Sequence, residues 1–210
     1  MELAFKQLEK KDYKKAIQFA IKGMHFDWYT KNKLLLNLYG RYFWYLELNR
    51  ATQIIALYAD DELAGVLLAD IKGKSKKHHS FSQKLYVKLF DFLQNAFVKD
   101  SKGRYDDTNE ELLSDYLKKH SPDGEIVFLA ANPDLKIKGI GSKLLKEFER
   151  REQGKEVFLF TDSGCTYQFY ERRGFERKKE KDIVMKILNK EVDLRCMLYS
   201  KIIQIGRAHV

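Results

Sequence analysis

The sequence has few of the features that indicate a secreted, metal-dependent or membrane-embedded protein. Its 210 residues include only two cysteines, Cys165 and Cys196, and no paired Cys/His spacing typical of zinc sites. No apolar run reaches the roughly 18 residues that cross a membrane, and the N-terminal residues lack the apolar core and cleavage site of a signal peptide. We therefore expect a cytoplasmic protein with no metal and no membrane among its partners.

Linkers, internal repeats and low-complexity segments are also missing, which favours a single domain over residues 1–203. Residues 204–210 resemble the translation of a DNA-sequencing adapter, and we interpret them as a non-native tail. His78 and His79 are adjacent, so their side chains point apart on most backbones, and no third metal ligand is near. We interpret them as part of a solvated basic loop, residues 72–80.

The composition indicates a globular protein with a basic surface. Hydrophobic residues make up 44% of the chain and aromatic residues 13%, which argues against disorder. The net charge of +9 favours acidic partners such as phosphate-bearing ligands, nucleic acid or anionic lipid, and charge alone does not choose among them. Because the positive charges are scattered and no nucleic-acid motif is present, we expect no nucleic acid partner.

The most informative stretch runs from residue 123 to residue 151. Glu125–Ala131 is a nearly continuous apolar run, as in a strand buried on both faces, and apolar residues then recur at helical spacing from Leu144. Between them, residues 136–141 place two glycines just before the helix, where successive backbone N–H groups can converge on an anion. A phosphate or pyrophosphate is the expected anion.

Two common phosphate-binding fingerprints do not fit this stretch. A dinucleotide-binding fingerprint requires a third glycine where Leu144 stands, and a P-loop requires Gly-Lys-Ser/Thr after a four-residue spacer. The stretch instead resembles motif A of the GNAT superfamily of acyl-CoA N-acyltransferases, Gln/Arg-x-x-Gly-x-Gly/Ala. Gly139 and Gly141 match the glycines of that motif, and Lys136 departs from Gln/Arg while keeping a positive charge.

A second segment agrees with the same superfamily in the expected order. A short apolar strand at Val157–Phe160 precedes residues 161–175, which resemble GNAT motif B and end in its Tyr-Glu-x-x-Gly-Phe signature. The resemblance covers residues 53–199 and is weakest over 72–122, which we interpret as the variable helical insertion of the family. It implies an α/β fold with a central mixed, mostly antiparallel sheet that splays between two parallel strands and has helices on both faces.

The resemblance implies a bacterial N-acetyltransferase that moves an acetyl group from acetyl-CoA to a primary amine. The acceptor is a small molecule or a protein, transfer is direct in a ternary complex, and the protein is a monomer or homodimer. Backbone N–H groups of Leu129 and Ala131 would stabilise the oxyanion. Ser163 stands near the motif-B asparagine that contacts the pantetheine arm, with Asp162 and Thr166 as alternatives. The residues of the implied pyrophosphate cradle are Lys136, Lys138, Gly139, Ile140, Gly141, Ser142 and Lys143.

The same resemblance implies two catalytic residues. Glu125 holds the position of the general-base glutamate in the histone-acetyltransferase branch, where partial burial would raise its pKa; a purely structural carboxylate is the alternative. Tyr170 matches the tyrosine assigned as general acid for the departing thiolate, although a hydrogen bond or simple packing would also explain it. Cys165 has no His partner at recognisable spacing, so we expect no covalent acyl-enzyme. A non-catalytic acyl-CoA-sensing module is the alternative function.

Local patterns predict the remaining elements. Asp12 is expected to cap the first helix, residues 99–107 to form a polar loop and residues 176–182 a charged turn. Four aromatic residues either pack in the core, which we favour, or line the acceptor site, namely Trp28, Tyr42, Trp44 and Tyr45. The other predicted strands are 3–8, 53–59, 63–71, 183–188 and 192–201, and the other predicted helices are 12–21, 32–48, 83–98 and 110–118.

Overall fold

The computed structural model describes residues 2–28, 30–97, 102–187 and 190–205. Within these ranges, seven strands form one sheet and are accompanied by six α-helices. The strands are β1 (Leu3–Lys6), β2 (Gln53–Ala59), β3 (Glu62–Ile71), β4 (Gly124–Ala131), β5 (Glu156–Asp162), β6 (Glu176–Ile187) and β7 (Lys190–Ile202). The helices are α1 (Tyr13–Gly23), α2 (Lys33–Arg50), α3 (Phe81–Phe97), α4 (Lys102–Leu117), α5 (Ile140–Arg151) and α6 (Gln168–Glu171).

The order of the strands across the sheet is β1-β2-β3-β4-β5-β7-β6, and every neighbouring pair is antiparallel except β4 and β5. These two parallel strands pair at Gly124 with Val157 and at Glu125 with Phe158, and then part. We call the opening beyond these two pairs the wedge. The predicted α/β fold, with a mostly antiparallel sheet that splays between two parallel strands, is confirmed.

Strand β4 carries a bulge where the wedge begins. Phe128 of β4 pairs with Leu68 of β3, whereas Ile126 pairs with the next residue of β3, Ala69. Val127 is therefore the extra residue of the bulge. A bulge interrupts the alternation of side chains along a strand. Ile126 consequently packs on the α5 side of the sheet, whereas Val127 and Phe128 both pack on the side of α1 and α2.

Helices cover both faces of the sheet, as predicted. Leu144, Leu145 and Phe148 recur at helical spacing on α5 and are buried against the strands of one face. On the other face α1 and α2 cover β2 to β4, and α4 covers β5 to β7. Among the described residues, no helix combines the length and the apolar character needed to cross a membrane.

Three local details differ from prediction. Helix α4 begins at Lys102, so most of the predicted polar loop is helical. Residues 176–182 belong to β6 rather than to a turn, because an edge strand tolerates charged side chains that face solvent. Asp12 stands at the N-cap position of α1, as predicted, but its side chain makes no capping bond; its carboxylate instead accepts a hydrogen bond of 2.7 Å from the Tyr58 hydroxyl.

The other predicted elements are present, with bounds shifted by a few residues. Asn32 caps α2 by accepting hydrogen bonds from two backbone N–H groups of its first turn. Trp44 and Tyr42 are buried, as favoured, with 0% and 4% exposure, whereas Trp28 and Tyr45 are half-buried. Predictions for residues 98–101, 188 and 206–210 fall outside the described residues.

Candidate functional site

The N-terminus of α5 is open to a ligand. Gly139, which precedes the helix, has a φ of +83°, a conformation that L side chains rarely adopt, and a Cβ built on it would meet open space. Lys143 donates the first intrahelical bond, to the Gly139 carbonyl at 3.0 Å, and in the described chain no side chain caps the preceding N–H groups. The N–H groups of residues 140–142 can therefore bind an anion at the positive end of the helix.

Asn132 fixes the loop that leads to this helix. It is 3% exposed, its N–H donates to the Ala64 carbonyl at 2.7 Å, and its side-chain amide donates to Glu62 Oε1 at 3.1 Å. Its side-chain oxygen accepts from the Asp134 N–H at 3.0 Å. Sequence reasoning missed this residue, although an Asn-Pro pair directly after a strand is a turn signal.

A cation from motif B reaches the same helix end. The Arg173 guanidinium lies 3.7 Å from the centroid of the Phe169 ring, donates to the Phe169 carbonyl at 2.8 Å and donates to the Ser142 hydroxyl. Sequence reasoning missed Arg173 because it occupies an unspecified position of the motif-B signature. The adjacent pair of arginines in that signature was a signal that could have found it.

The other predicted cradle residues surround this helix end in different ways. A Cβ on Gly141 would lie 3.2 Å from the Phe169 ring, so this glycine lets α6 approach α5. The Ile140 side chain is buried in the core and offers the site only its N–H. The three predicted lysines are exposed and form no ion pair with any described residue, namely Lys136, Lys138 and Lys143.

Two backbone N–H groups of β4 face the wedge. The N–H of Asn132 bonds to Ala64 of β3, and successive N–H groups of an extended strand point to opposite edges. Those of Ala131 and Leu129 therefore point away from β3 and toward β5, where the described strands have parted. These are the two groups that the resemblance assigns to the oxyanion.

Tyr170 lies on the α5 side of the sheet. Its ring makes edge contacts with Phe169 and Phe175, at centroid distances of 5.1 and 5.7 Å. Its hydroxyl has no hydrogen-bond partner in the described part of the chain, and burial raises its pKa above the ordinary 10. The hydroxyl can therefore donate a hydrogen bond, and it keeps its proton across the neutral pH range.

Cys165 lacks the character of a nucleophile. Burial, followed by the charge of Asp162, raises the pKa of the Cys165 thiol to about 12. The Asp162 carboxylate also accepts hydrogen bonds from the Gly164 N–H at 2.8 Å and from the Tyr105 hydroxyl at 2.9 Å. A thiol that stays protonated cannot attack a thioester efficiently.

Ser163 forms hydrogen bonds with β7, on the side of β5 away from the wedge. Its N–H donates to the Arg195 carbonyl and its hydroxyl accepts from the Arg195 N–H, both at 3.0 Å. Because β7 flanks β5 on the side opposite β4, these bonds direct Ser163 away from the wedge. Its contact with the pantetheine arm stays a prediction.

Trp28 covers the end of the wedge beyond β5. A Cβ on Gly164 would lie 2.9 Å from the Trp28 indole, and the His25 ring stacks on that indole at 4.6 Å. Trp28 is also half-buried beside the cluster under α4. It therefore forms an aromatic wall beside the turn that follows β5.

Glu125 lies at the narrow end of the wedge, on the face covered by α2. Its side chain is 17% exposed, and Oε2 accepts a hydrogen bond and ion pair from Arg50 Nη2. Burial raises the pKa of Glu125 and the positive charge of Arg50 opposes the rise. Oε1 accepts no hydrogen bond from any described residue, so it can receive a proton.

A second carboxyl group shares Arg50, and sequence reasoning did not identify it. Glu47 is 7% exposed, and its Oε2 lies 3.4 Å from Arg50 Nη1 without a hydrogen bond. Burial raises the pKa of Glu47 to about 8, with Arg50 opposing and Glu125 adding to the rise. The spacing of three residues between Glu47 and Arg50 occurs on many exposed helix faces, so the sequence carries no signal of this burial.

The comparisons with known proteins identify the fold. No protein-family profile matches the sequence, and no curated protein is recognisably similar to it in sequence. The structure of histone acetyltransferase HPA2 and related acetyltransferase from Corynebacterium glutamicum gives a TM-score of 0.56 at 14% identity, covering 100% of both chains. A protein described as an acetyltransferase of the GNAT family, from Desulfovibrio desulfuricans, gives 0.51 at 15% identity, covering 96% of this chain and 99% of that one.

A third structure has a ligand. The PaiA N-acetyltransferase of Thermoplasma acidophilum, solved in complex with coenzyme A, gives a TM-score of 0.51 at 15% identity over 96% of this chain and 99% of that one. Together these structures show that the chain has the fold of the GNAT acetyltransferases. At these identities the likeness concerns the fold, so the chemistry has to be argued from the residues of the site.

Glu47→Gln tests whether Glu47 holds a proton in the folded protein. Because its folded pKa of about 8 lies above the ordinary 4.5, the wild type loses stability as the pH rises between these values, whereas glutamine does not titrate. We compare the free energy of unfolding of the variant with that of the wild type. As the pH rises from about 5 to about 8.5, we expect this difference to shift in favour of the variant by at least ~2 kcal/mol.

Urea unfolding at both pH values measures this gain. Glu110→Gln on the exposed face of α4 is the matched control, and it should follow the pH dependence of the wild type. If Glu47→Gln also follows the wild type, Glu47 is ionised in the folded state and the interpretation is wrong.

Proposed function

We propose that this protein is an N-acetyltransferase that moves an acetyl group from acetyl-CoA to a primary amine by direct transfer in a ternary complex. The observation that carries the proposal is the wedge between β4 and β5 beside the uncapped N-terminus of α5. The fold of the named acetyltransferases, one of them in complex with coenzyme A, supports it. Acetyl-CoA supplies the activated thioester, and the protein supplies binding, orientation and proton transfer.

The residues around the helix end suit a pyrophosphate. The N–H groups of residues 140–142 offer donors, and the open space in front of Gly139 leaves room for phosphate oxygens. Arg173 adds a fixed guanidinium, and the exposed lysines at 136, 138 and 143 add mobile charge. Positive charge with few side chains in the way is the arrangement that such an anion requires.

Proton removal from the acceptor is assigned to Glu125. A primary amine with a pKa of about 10 arrives charged at neutral pH and cannot attack before it loses a proton. Oε1 of Glu125 is the oxygen that can accept this proton, while Arg50 holds Oε2 and fixes the carboxylate. The raised pKa of Glu125 makes it a stronger base than an exposed glutamate.

The wedge and Tyr170 are assigned to the acetyl oxygen and to the departing sulfur. The N–H groups of Leu129 and Ala131 are positioned to stabilise negative charge that develops on the acetyl oxygen. Because the pKa of Tyr170 is raised, full proton transfer to a thiolate of pKa about 8.5 is uphill. Tyr170 is therefore assigned a hydrogen bond to the departing sulfur.

Three further properties belong to this proposal. The acceptor amine is part of a small molecule or a protein. The protein works in the bacterial cytoplasm as a monomer or homodimer, consistent with two free thiols. The raised pKa of Cys165 supports direct transfer over an acyl-enzyme.

Calorimetric titration of acetyl-CoA tests the cradle with a matched pair of glycine variants. Gly139 and Gly73 both have positive φ, +83° and +76°, and a Cβ at either would meet open space. Alanine therefore strains both backbones alike, and only Gly139→Ala places a methyl group before the anion site. We expect Gly139→Ala to weaken acetyl-CoA binding at least ~10-fold and Gly73→Ala to leave it unchanged.

Desulfo-CoA and NADH serve as ligand controls in the same titrations. The proposal requires binding of the CoA compounds and none of NADH. Equal effects of the two glycine variants would mean that the N-terminus of α5 does not bind the pyrophosphate of acetyl-CoA. Binding without thiol release for any primary amine screened would instead indicate an acyl-CoA-sensing module.

Glu125→Gln is expected to lower kcat about 10²-fold, the size of a lost general base, while acetyl-CoA affinity stays within a few-fold of wild type. Thiol release with an active amine gives kcat, and calorimetry gives the affinity. Glu47→Gln is the matched control, because it makes the same substitution at the other carboxyl group beside Arg50, which already holds a proton at neutral pH, and it should keep kcat within about 3-fold. Parallel losses of turnover and affinity in Glu125→Gln would mean that Glu125 is structural.

Tyr170→Phe is expected to lower kcat about 10-fold and to leave the alkaline limb of the pH–rate profile unchanged. The reason is that the raised pKa of Tyr170 keeps its hydroxyl protonated beyond the pH range of the assay. Thiol release measured between about pH 6 and about pH 9.5 provides the profile. An alkaline limb that disappears in the variant would show that Tyr170 titrates as a general acid.

A further inference from the structure

The outer face of α3 exposes a row of large apolar side chains. Four of them stand at intervals of four, four and three residues and so share one side of the helix. Their exposed fractions are 83% for Phe81, 55% for Leu85, 56% for Leu89 and 69% for Phe92. We call these four residues the apolar stripe. Neither the proposed acetyl transfer nor the core uses them.

The opposite side of α3 is fixed to α2. The Phe90 ring stacks on Tyr42 at 4.7 Å, and Tyr86 meets the edge of Tyr45 at 5.6 Å. The Tyr42 hydroxyl donates to Asp91 at 2.6 Å. These contacts fix which side of α3 faces outward, so the exposure of the stripe follows from the packing of its neighbours.

The segment that carries the stripe, together with the loop before it, is strongly basic. Residues 72–92 contain six lysines and a single acidic residue, Asp91, which faces α2. Lys74 and Lys76, which lie in the loop before α3, form ion pairs with residues outside that loop. The remaining lysines of this segment are exposed and without an ion-pair partner among the described residues, namely Lys72, Lys77, Lys84 and Lys88. The exposed face of α3 and the loop before it therefore present apolar and cationic groups together.

We propose that this face docks on an anionic lipid surface, with the apolar stripe in the headgroup layer and Lys84 and Lys88 on the lipid phosphates. A basic helix with an outward apolar face is the pattern of proteins that lie on membranes, and the cytoplasmic leaflet is anionic. No spanning helix is needed. The proposal replaces the expectation that no membrane is among the partners, and it does not depend on the proposed acetyl transfer.

A second copy of the chain fits this face less well. The stripe offers ~500 Å² of apolar surface, below the roughly 800 Å² that each partner buries in a standard protein interface. A self-contact would also bring the lysines of two copies together, and the described residues of α3 provide no outward carboxylate to offset them. An anionic surface has neither difficulty, because lysine stems can lie along apolar groups while the ammonium reaches phosphate.

Vesicle flotation with the full chain tests the apolar part of the proposal. We expect the wild type to float with vesicles of phosphatidylcholine containing about 30% phosphatidylglycerol, and not with phosphatidylcholine alone. Leu85→Gln with Leu89→Gln should reduce the bound fraction at least ~10-fold, whereas Val184→Gln with Ile202→Gln, two exposed apolar residues elsewhere, should not. Circular dichroism verifies that each variant is folded.

A charge-matched pair tests the lysines. Lys84→Glu with Lys88→Glu and Lys10→Glu with Lys14→Glu change the net charge equally, and each pair is exposed and four residues apart. Only the first pair should lose binding to the anionic vesicles. Equal losses for both pairs, or equal flotation on neutral and anionic vesicles, would overturn the proposal. The proposal would also be wrong if sedimentation showed a dimer of the wild type that Leu85→Gln with Leu89→Gln dissociates, while the wild type bound no vesicles.

Discussion

The parting of β4 and β5 is the constraint on which the rest of this structure depends. A strand edge inside a sheet normally has its N–H groups bonded to a neighbour, and here β4 loses that neighbour after two residue pairs. The bulge at Val127 lies at the start of the opening and sends the side chains of Val127 and Phe128 to the α1 and α2 face. Within the described strands, the wedge therefore provides backbone donors of β4 that lack a strand neighbour, without requiring a polar side chain in the core.

The charge of Glu125 is governed by competition within a small network. Burial alone would favour the protonated form, and Arg50 restores part of the preference for the carboxylate. Arg50 also faces Glu47, which is more deeply buried and whose pKa is raised much further, to about 8. One arginine thus serves two carboxyl groups, and the more deeply buried one, Glu47, holds its proton to the higher pH.

The sequence predicts the parts of this protein that follow from local chemistry. Gly139 marks a backbone conformation that other residues avoid, and the change from an apolar run to helical spacing marks β4 and α5. Contacts between residues far apart in the sequence have no local signal and were not predicted. Arg173 acts through Ser142, 31 residues away, and Arg50 meets Glu125, 75 residues away. Neither contact has a local pattern, so each became visible only in the folded chain.

The sheet separates two kinds of surface. The α5 side holds the proposed anion site, formed by the motifs that resemble the superfamily, whereas α2 and then α3 cover the other side. The aromatic contacts between α2 and α3 turn the one acid of the basic segment inward and the apolar stripe outward. A membrane bound by that stripe would lie across the sheet from the N-terminus of α5. Docking and cofactor binding can then occur together, because the two surfaces share no residues.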